Sequence, residues 1–138
     1  MNIDANNKPR LIELPKINDP RGNLTYIESG KHVPFTVQRN YWIYDVPSGM
    51  WRDGHAFHQQ EELLVALSGS FDVVINNGDE QQTFHLARPQ FGLYVPRMTW
   101  RHIDNFSTNS VALVLTSTAY DEADYIADFA EFHKLVKE

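Results

Sequence analysis

The sequence predicts an all-β domain with one C-terminal helix, and three observations lead there. Between Leu11 and Thr116 the apolar residues come in short runs broken by Gly, Pro and Asn, the pattern of a sandwich or barrel. Asn76-Asn77-Gly78 is a hairpin turn signal, because Asn and Gly tolerate positive φ. At the end of the chain the period changes. Ile126, Phe129, Phe132, Leu135 and Val136 recur at helical spacing.

Residues 1–10 are polar and are expected to form a flexible lead, with residues 11–138 as a single domain. Asp19-Pro20-Arg21-Gly22 marks a turn near the second strand. From Phe35 to Ile43 a strand would place Phe35, Val37, Arg39, Tyr41 and Ile43 on one face, since alternate side chains share a side. If that face is interior, Arg39 needs a carboxylate or a ligand, because charges are rarely buried alone. Leu63–Ser68 and Ser70–Ile75 are strands around a break at Gly69, followed by Thr83–Leu86, Gly92–Val95 and Val111–Thr116. Thr118 with Asp121 loosely fits a capping box, so the helix is expected over about 119–137. Lys134 and Lys137 then complement its C-terminal dipole.

Composition sets further bounds. At 138 residues the chain is about one domain long, and its formal charge of −6 argues against a broad nucleic-acid surface. There is no Cys, which excludes disulfides and thiolate chemistry. No apolar run approaches the ~20 residues of a membrane helix, and the first residues lack the apolar core of a signal peptide. A cytoplasmic protein without a membrane partner is the expectation.

One segment carries chemistry. Gly54-His55-Ala56-Phe57-His58-Gln59-Gln60-Glu61-Glu62, closed by Gly69, has the frame of the first cupin motif, in which two His and a Glu bind a metal inside a jelly-roll barrel. Here His55 and Glu62 are kept and Phe57 fills the second His position. Gly92-Leu93-Tyr94-Val95-Pro96 opens the second motif, and Arg101 stands where a third His would fall. No metal or other cofactor is expected, because a tight site ordinarily needs three ligands. His55 remains as a neutral imidazole able to take a proton from carbon beside a carbonyl. Tyr41 can donate to a developing enolate, and Arg39 can clamp phosphate oxygens. Glu62 is open to three roles: metal ligand, orienter of His55 or partner of an Arg. One of Arg101 and His102 faces inward, and the sequence leaves open which. His58 falls on the opposite strand face from His55 and is read as exposed. His32, His85 and His133 stand apart from any constellation.

Together these segments resemble the sugar 3,4-ketoisomerases of the WxcM-like cupin group, over about Leu11 to Phe132. The resemblance rests on Asp19-Pro20-Arg21-Gly22-Asn23-Leu24, Pro34-Phe35 leading to Arg39-Asn40-Tyr41, Gly54-His55-Ala56, Leu67-Ser68-Gly69-Ser70, Gly92-Leu93-Tyr94 and, most distinctively, Tyr120-Asp121-Glu122-Ala123-Asp124-Tyr125-Ile126. It implies a metal-independent, dimeric jelly-roll cupin that acts on dTDP-4-keto-6-deoxyglucose in 3-amino-3,6-dideoxyhexose synthesis. It also implies His55 as the acid/base between sugar C3 and C4, with Tyr41 assisting. Arg21 and Arg39 would lie near the nucleotide-sugar, with Glu62 and Arg101 in the same binding site. The chain departs from the common His-Ala-His pattern at Phe57. Two alternatives remain: a dTDP-sugar 3,5-epimerase, and a catalytically silent cupin that binds a nucleotide-sugar.

Overall fold

The apolar runs become two facing sheets in the computed structural model, which describes residues 8–50 and 52–137. The chain opens with β1 (Arg10–Glu13), β2 (Lys16–Ile17), β3 (Leu24–Thr25) and β4 (Arg39–Tyr44). It continues through β5 (Arg52–Phe57), β6 (Glu62–Ser68), β7 (Phe71–Asn76) and β8 (Gln81–Leu86). Then come β9 (Phe91–Val95), β10 (Trp100–Asp104), β11 (Val111–Thr116), the two-residue β12 (Tyr125–Ile126) and α1 (Phe129–Lys137). One sheet has the order β1-β9-β6-β11-β4, the other β12-β5-β10-β7-β8, and β2-β3 form a separate hairpin. This is the expected all-β jelly roll with a C-terminal helix. Among the described residues no ladder joins the two sheets, so the barrel there is open-edged rather than a closed ring.

Period-two alternation decides what each face holds. Leu64, Ala66, Leu93, Val95, Ala112 and Val114 of the first sheet meet Phe71, Val73, Ile75, Leu86 and Ile103 of the second. Each large side chain buried this way contributes about 1.5–3 kcal/mol. On the outer side of the first sheet, Leu63, Val65, Tyr94 and Leu115 are covered by Leu14, Val33 and Phe35. On the outer side of the second, Ala56 and Met98 are covered by Ile126 and Phe132.

The predicted turn between β7 and β8 forms as read: Gly78 has φ +102° and its N–H donates to Asn76 Oδ1 at 2.7 Å. Three expectations need correction. Phe35 and Val37 do not share the inner face with Arg39 and Tyr41, because the strand begins only at Arg39. Pro34 offers no N–H to a ladder, and the segment after it packs on the outside instead. The helix spans Phe129–Lys137 rather than about 119–137. Thr118 caps no helix; its hydroxyl donates to Gln60 Oε1 at 2.7 Å. Asp121 caps a single 3₁₀ turn, Glu122–Asp124, and Tyr125–Ile126 then pair with Phe57 and Ala56. Asp128 Oδ1 accepts from the Ala130 N–H at 2.9 Å where α1 begins. The expected flexible lead 1–10 falls mostly on residues 1–7, which lie outside the described residues, and Arg10 already belongs to β1.

Candidate active site

The site lies between the two sheets, where polar side chains replace apolar ones on the inner faces. β4 turns Arg39, Tyr41 and Ile43 inward, and β10 turns Arg101 inward against Ile75 of β7. His102 therefore faces the other way, with Nε2 3.3 Å from Asp104 Oδ2. On β5 the register carries a bulge: Arg101 pairs with His55 and Ile103 with Arg52, two residues against three. Residues 52 and 55 would oppose each other on a regular strand; the bulge brings both to the cavity. Gly54 lies within the bulge, where any Cβ would collide with the Trp100 indole. The resulting cavity of about 660 Å³ is lined by Arg39, Tyr41, Arg52, His55, Arg101 and Tyr125, with Ile43 and Tyr120 completing it.

Beneath Tyr41 runs a buried polar chain. Arg101 Nε donates to Glu62 Oε1 at 2.8 Å, and Nη2 donates to Glu62 Oε2 and to the Tyr41 oxygen, both at 3.0 Å. The Tyr41 hydroxyl donates in turn to Glu62 Oε2 at 3.3 Å, and Gln60 Nε2 to the same oxygen at 3.1 Å. Arg101 is 2% exposed and Glu62 1%, so this is an ion pair held away from water. Burial alone would push the Glu62 carboxyl up, but the Arg101 charge and its hydrogen bonds outweigh it and hold the carboxyl below its ordinary range. Burial would likewise lower the Arg101 guanidinium, yet Glu62 and Tyr41 keep it raised. Burial and the Glu62 charge push the Tyr41 phenol up to about 12, with Arg101 opposing in part. Tyr41 is a hydroxyl at neutral pH.

His55 sits across from this group. Burial, then the positive Arg101 and Arg52, push its imidazole down to about 4, against a partial pull from Glu62. It is neutral at pH 7. Its Nε2 is buried with no hydrogen-bond partner among the described residues. Phe57 packs edge-on against the ring at 4.9 Å between centroids, and Tyr125 tilts over it at 5.4 Å. Arg39 also has unpartnered buried nitrogens, Nε and Nη1, and lies 5.4 Å from the Tyr41 ring centroid and 5.5 Å from that of Tyr120. Of the two fates open to Arg39, a carboxylate partner is not the one observed at these nitrogens. Arg39 itself lines the cavity.

The structure thus brings together His55, Tyr41, Arg39 and Arg101. Glu62 belongs to the group but lies behind the wall: its carboxylate accepts from Arg101, Gln60 and Tyr41, so of the three roles left open the one observed is the pairing with an Arg. Arg21 does not join them. It is 90% exposed, paired with Asp19 at 2.8 Å, and lines no part of this cavity. Among the described residues no group of three His, Asp or Glu is arranged to hold a metal. Sequence reasoning missed Arg52, Tyr120 and Tyr125. The bulge hid Arg52, and the short strand β12, taken for part of the helix, hid Tyr125.

Fold and site together define a jelly-roll cupin with a cavity lined by His, Tyr and Arg side chains between its sheets. The model of the WxcM-like, C-terminal family (FdtA) matches residues 7–137, and the chain belongs to that family. A TDP-4-oxo-6-deoxy-alpha-D-glucose-3,4-oxoisomerase of Aneurinibacillus thermoaerophilus is 39% identical over 127 residues, 92% of this chain and 91% of that protein. A 3,4-ketoisomerase from Helicobacter canadensis superposes with a TM-score of 0.91 at 35% identity, covering 94% of this chain and 98% of the other. A mutant of the 3,4-ketoisomerase QdtA from Thermoanaerobacterium thermosaccharolyticum, in complex with TDP-4-keto-6-deoxyglucose, gives 0.92 at 32%, with 94% of each chain covered. A dTDP-4-dehydrorhamnose 3,5-epimerase from Bacillus anthracis is only 16% identical and shares the fold.

Proposed function

We propose that this protein is a TDP-sugar 3,4-ketoisomerase acting on TDP-4-keto-6-deoxyglucose, in the cytoplasm, for deoxysugar and polysaccharide synthesis. The observation that carries the reading is a neutral imidazole with an unpartnered Nε2, facing a guanidinium-anchored phenol across a cavity that also holds Arg39 and Arg52. The cations suit a nucleoside diphosphate on a chain that is acidic overall.

The chemistry follows from these groups. His55 takes the proton from sugar C3, which the C4 ketone acidifies. The C–H electron pair forms the C3–C4 double bond, and the C4 oxygen takes the Tyr41 proton. Arg101 donates to the Tyr41 oxygen and stabilises the phenolate for that moment. Tyr41 then recovers a proton from the C3 oxygen while the His55 imidazolium protonates C4. A 3-keto sugar results, with no net gain or loss of protons. The donor set favours this route without metal, since Phe57 and Arg101 occupy two of the four ligand positions of the cupin frame.

His55→Asn tests the assignment. Turnover should fall roughly 10²–10⁴-fold, the usual worth of general acid–base catalysis, while TDP binding changes little. In deuterated water the wild type should place deuterium at sugar C4. Isomerisation by the variant at the wild-type rate would show that His55 is structural. The silent-cupin reading rests on Phe57, and it wins if the wild type binds TDP yet leaves the sugar unchanged by NMR.

We also infer a homodimer. β4 is an edge strand whose outer face carries Trp42 and Tyr44, each 57% exposed, with Leu67 nearby at 49%. A second copy covering that face would remove both the apolar surface and the open edge. A monomer in sedimentation at micromolar concentration would refute this.

A further inference from the structure

Asp124 lies in the 3₁₀ turn before β12, does not line the cavity and is 8% exposed. Three consecutive backbone N–H groups converge on it. His58 donates to its carbonyl oxygen at 3.0 Å, Gln59 to Oδ1 at 2.8 Å and Gln60 to Oδ2 at 3.0 Å. Both carboxylate oxygens are therefore spent on the loop that joins β5 to β6. Each end of this clamp leads to one half of the reacting pair. The following residue, Tyr125, pairs with Phe57 and lays its ring against His55. Gln60, whose main chain Asp124 holds, sends Nε2 to Glu62, which carries Arg101 and Tyr41.

The geometry points to Asp124 as a positioning residue that fixes the His55 base and the Tyr41 acid relative to one another, without touching substrate. The inference rests on the ketoisomerase reading for its kinetic consequence, though not for its structural one. An ionised carboxylate accepts from two adjacent N–H groups at once; a carboxamide presents one acceptor and one donor, so one of those N–H groups loses its partner. In Asp124→Asn the loop and β12 should draw apart. Tyr125 then uncovers the imidazole, and Gln60 loosens its hold on Glu62. Around His55 and its cavity the charged and titratable groups are Arg52 on its own strand, Arg101 on β10, Glu62 on β6, Arg39 and Tyr41 on β4, Tyr125 on β12 and Tyr120 before it. Losing the Asp124 charge, or the pull of Glu62, would lower the imidazole further, so a rise in the His55 midpoint reports solvent entry.

The experiment compares wild type, Asp124→Asn, Asp124→Glu and a control, Asp128→Ala, which removes the side-chain cap of α1 and leaves the Asp124 clamp in place. His55 titration is followed by NMR without ligand, and turnover of TDP-4-keto-6-deoxyglucose is followed alongside. Asp124→Asn should raise the His55 midpoint by at least one pH unit, toward the ordinary imidazole value, and lower kcat at least tenfold with KM within about twofold. Asp128→Ala should lose thermal stability and leave both unchanged. If Asp124→Asn does not fold, Asp124→Glu, which keeps the charge but displaces it by a methylene, is held to the same criteria. An unmoved His55 midpoint, or equal effects in the control, would overturn the inference. Should the wild type prove inactive, the functional reading fails while the NMR comparison still decides the role of Asp124.

Discussion

Removing Arg101 alone should cost more stability than removing it together with Glu62. In Arg101→Met the hydrocarbon stem is kept and the guanidinium lost, taking the two contacts to Glu62 at 2.8 and 3.0 Å and the one to Tyr41 at 3.0 Å. Glu62, 1% exposed, would keep only the donors of Gln60 and Tyr41. Leaving one member of a buried pair without its partner costs about 3–5 kcal/mol, a fifth or more of the ~5–15 kcal/mol typical of a domain. Replacing both charges by Arg101→Met with Glu62→Leu should recover most of it, since apolar substitutes for a buried pair are often neutral. The signs with pH also differ. In the wild type the depressed Glu62 pKa contributes stability that is present above its unfolded value and lost as pH falls through the folded one. In Arg101→Met the desolvated carboxyl is raised above its unfolded value instead. That variant should gain relative stability as pH drops toward 5. Urea unfolding at pH 7 and pH 5 reads both effects through the midpoint at constant slope. A single-variant loss under about 1 kcal/mol at pH 7, or no recovery in the double variant, would refute the view that this pair is sealed from water.

Four further outcomes are expected. Because the His55 imidazole is pushed down to about 4, kcat/KM should stay level from pH 7 to about pH 5 and fall only near pH 4; an acidic limb near 6.5 would mean the imidazole is solvated in the free enzyme. The same depression favours the neutral form in the folded state, so its contribution to stability, roughly 3 kcal/mol at most, is complete above pH 6.5 and is lost as pH falls toward 4, visible as a declining Tm in that window. Phe57→His should be tolerated or raise turnover, and Tyr41→Phe should be milder than His55→Asn; steady-state kinetics with NMR detection of the 3-keto product ranks the three. Chelation should leave activity intact, and elemental analysis finding about one metal per chain bound through His55 and Glu62 would count against the proposed proton-transfer route.

The chain by itself determined the class of fold and singled out His55 as the candidate base. Local patterns sufficed for that: period-two runs between Gly and Asn breaks, the Asn77-Gly78 turn, and a motif frame that keeps His55 while placing Phe57 and Arg101 where ligands would stand. The alternation from Arg39 to Ile43 also fixed which side chains of that strand share a face. Tertiary structure decided whatever depends on a register shift or on a partner far along the chain. A bulge is one extra residue in a ladder, and only the paired strand reveals it, so Arg52 stayed hidden. Whether Arg101 or His102 turns inward hung on the pairing of β10 with β5 and β7. The Arg that pairs with Glu62 lies 39 residues away in sequence. Tyr125 entered the site because the edge of β5 offers unpaired N–H and C=O groups, which held Tyr125 and Ile126 extended where their spacing alone suited a helix. Side-chain periodicity is local and can be read; hydrogen-bond partnership across the fold is not, and it is what assembled the cavity.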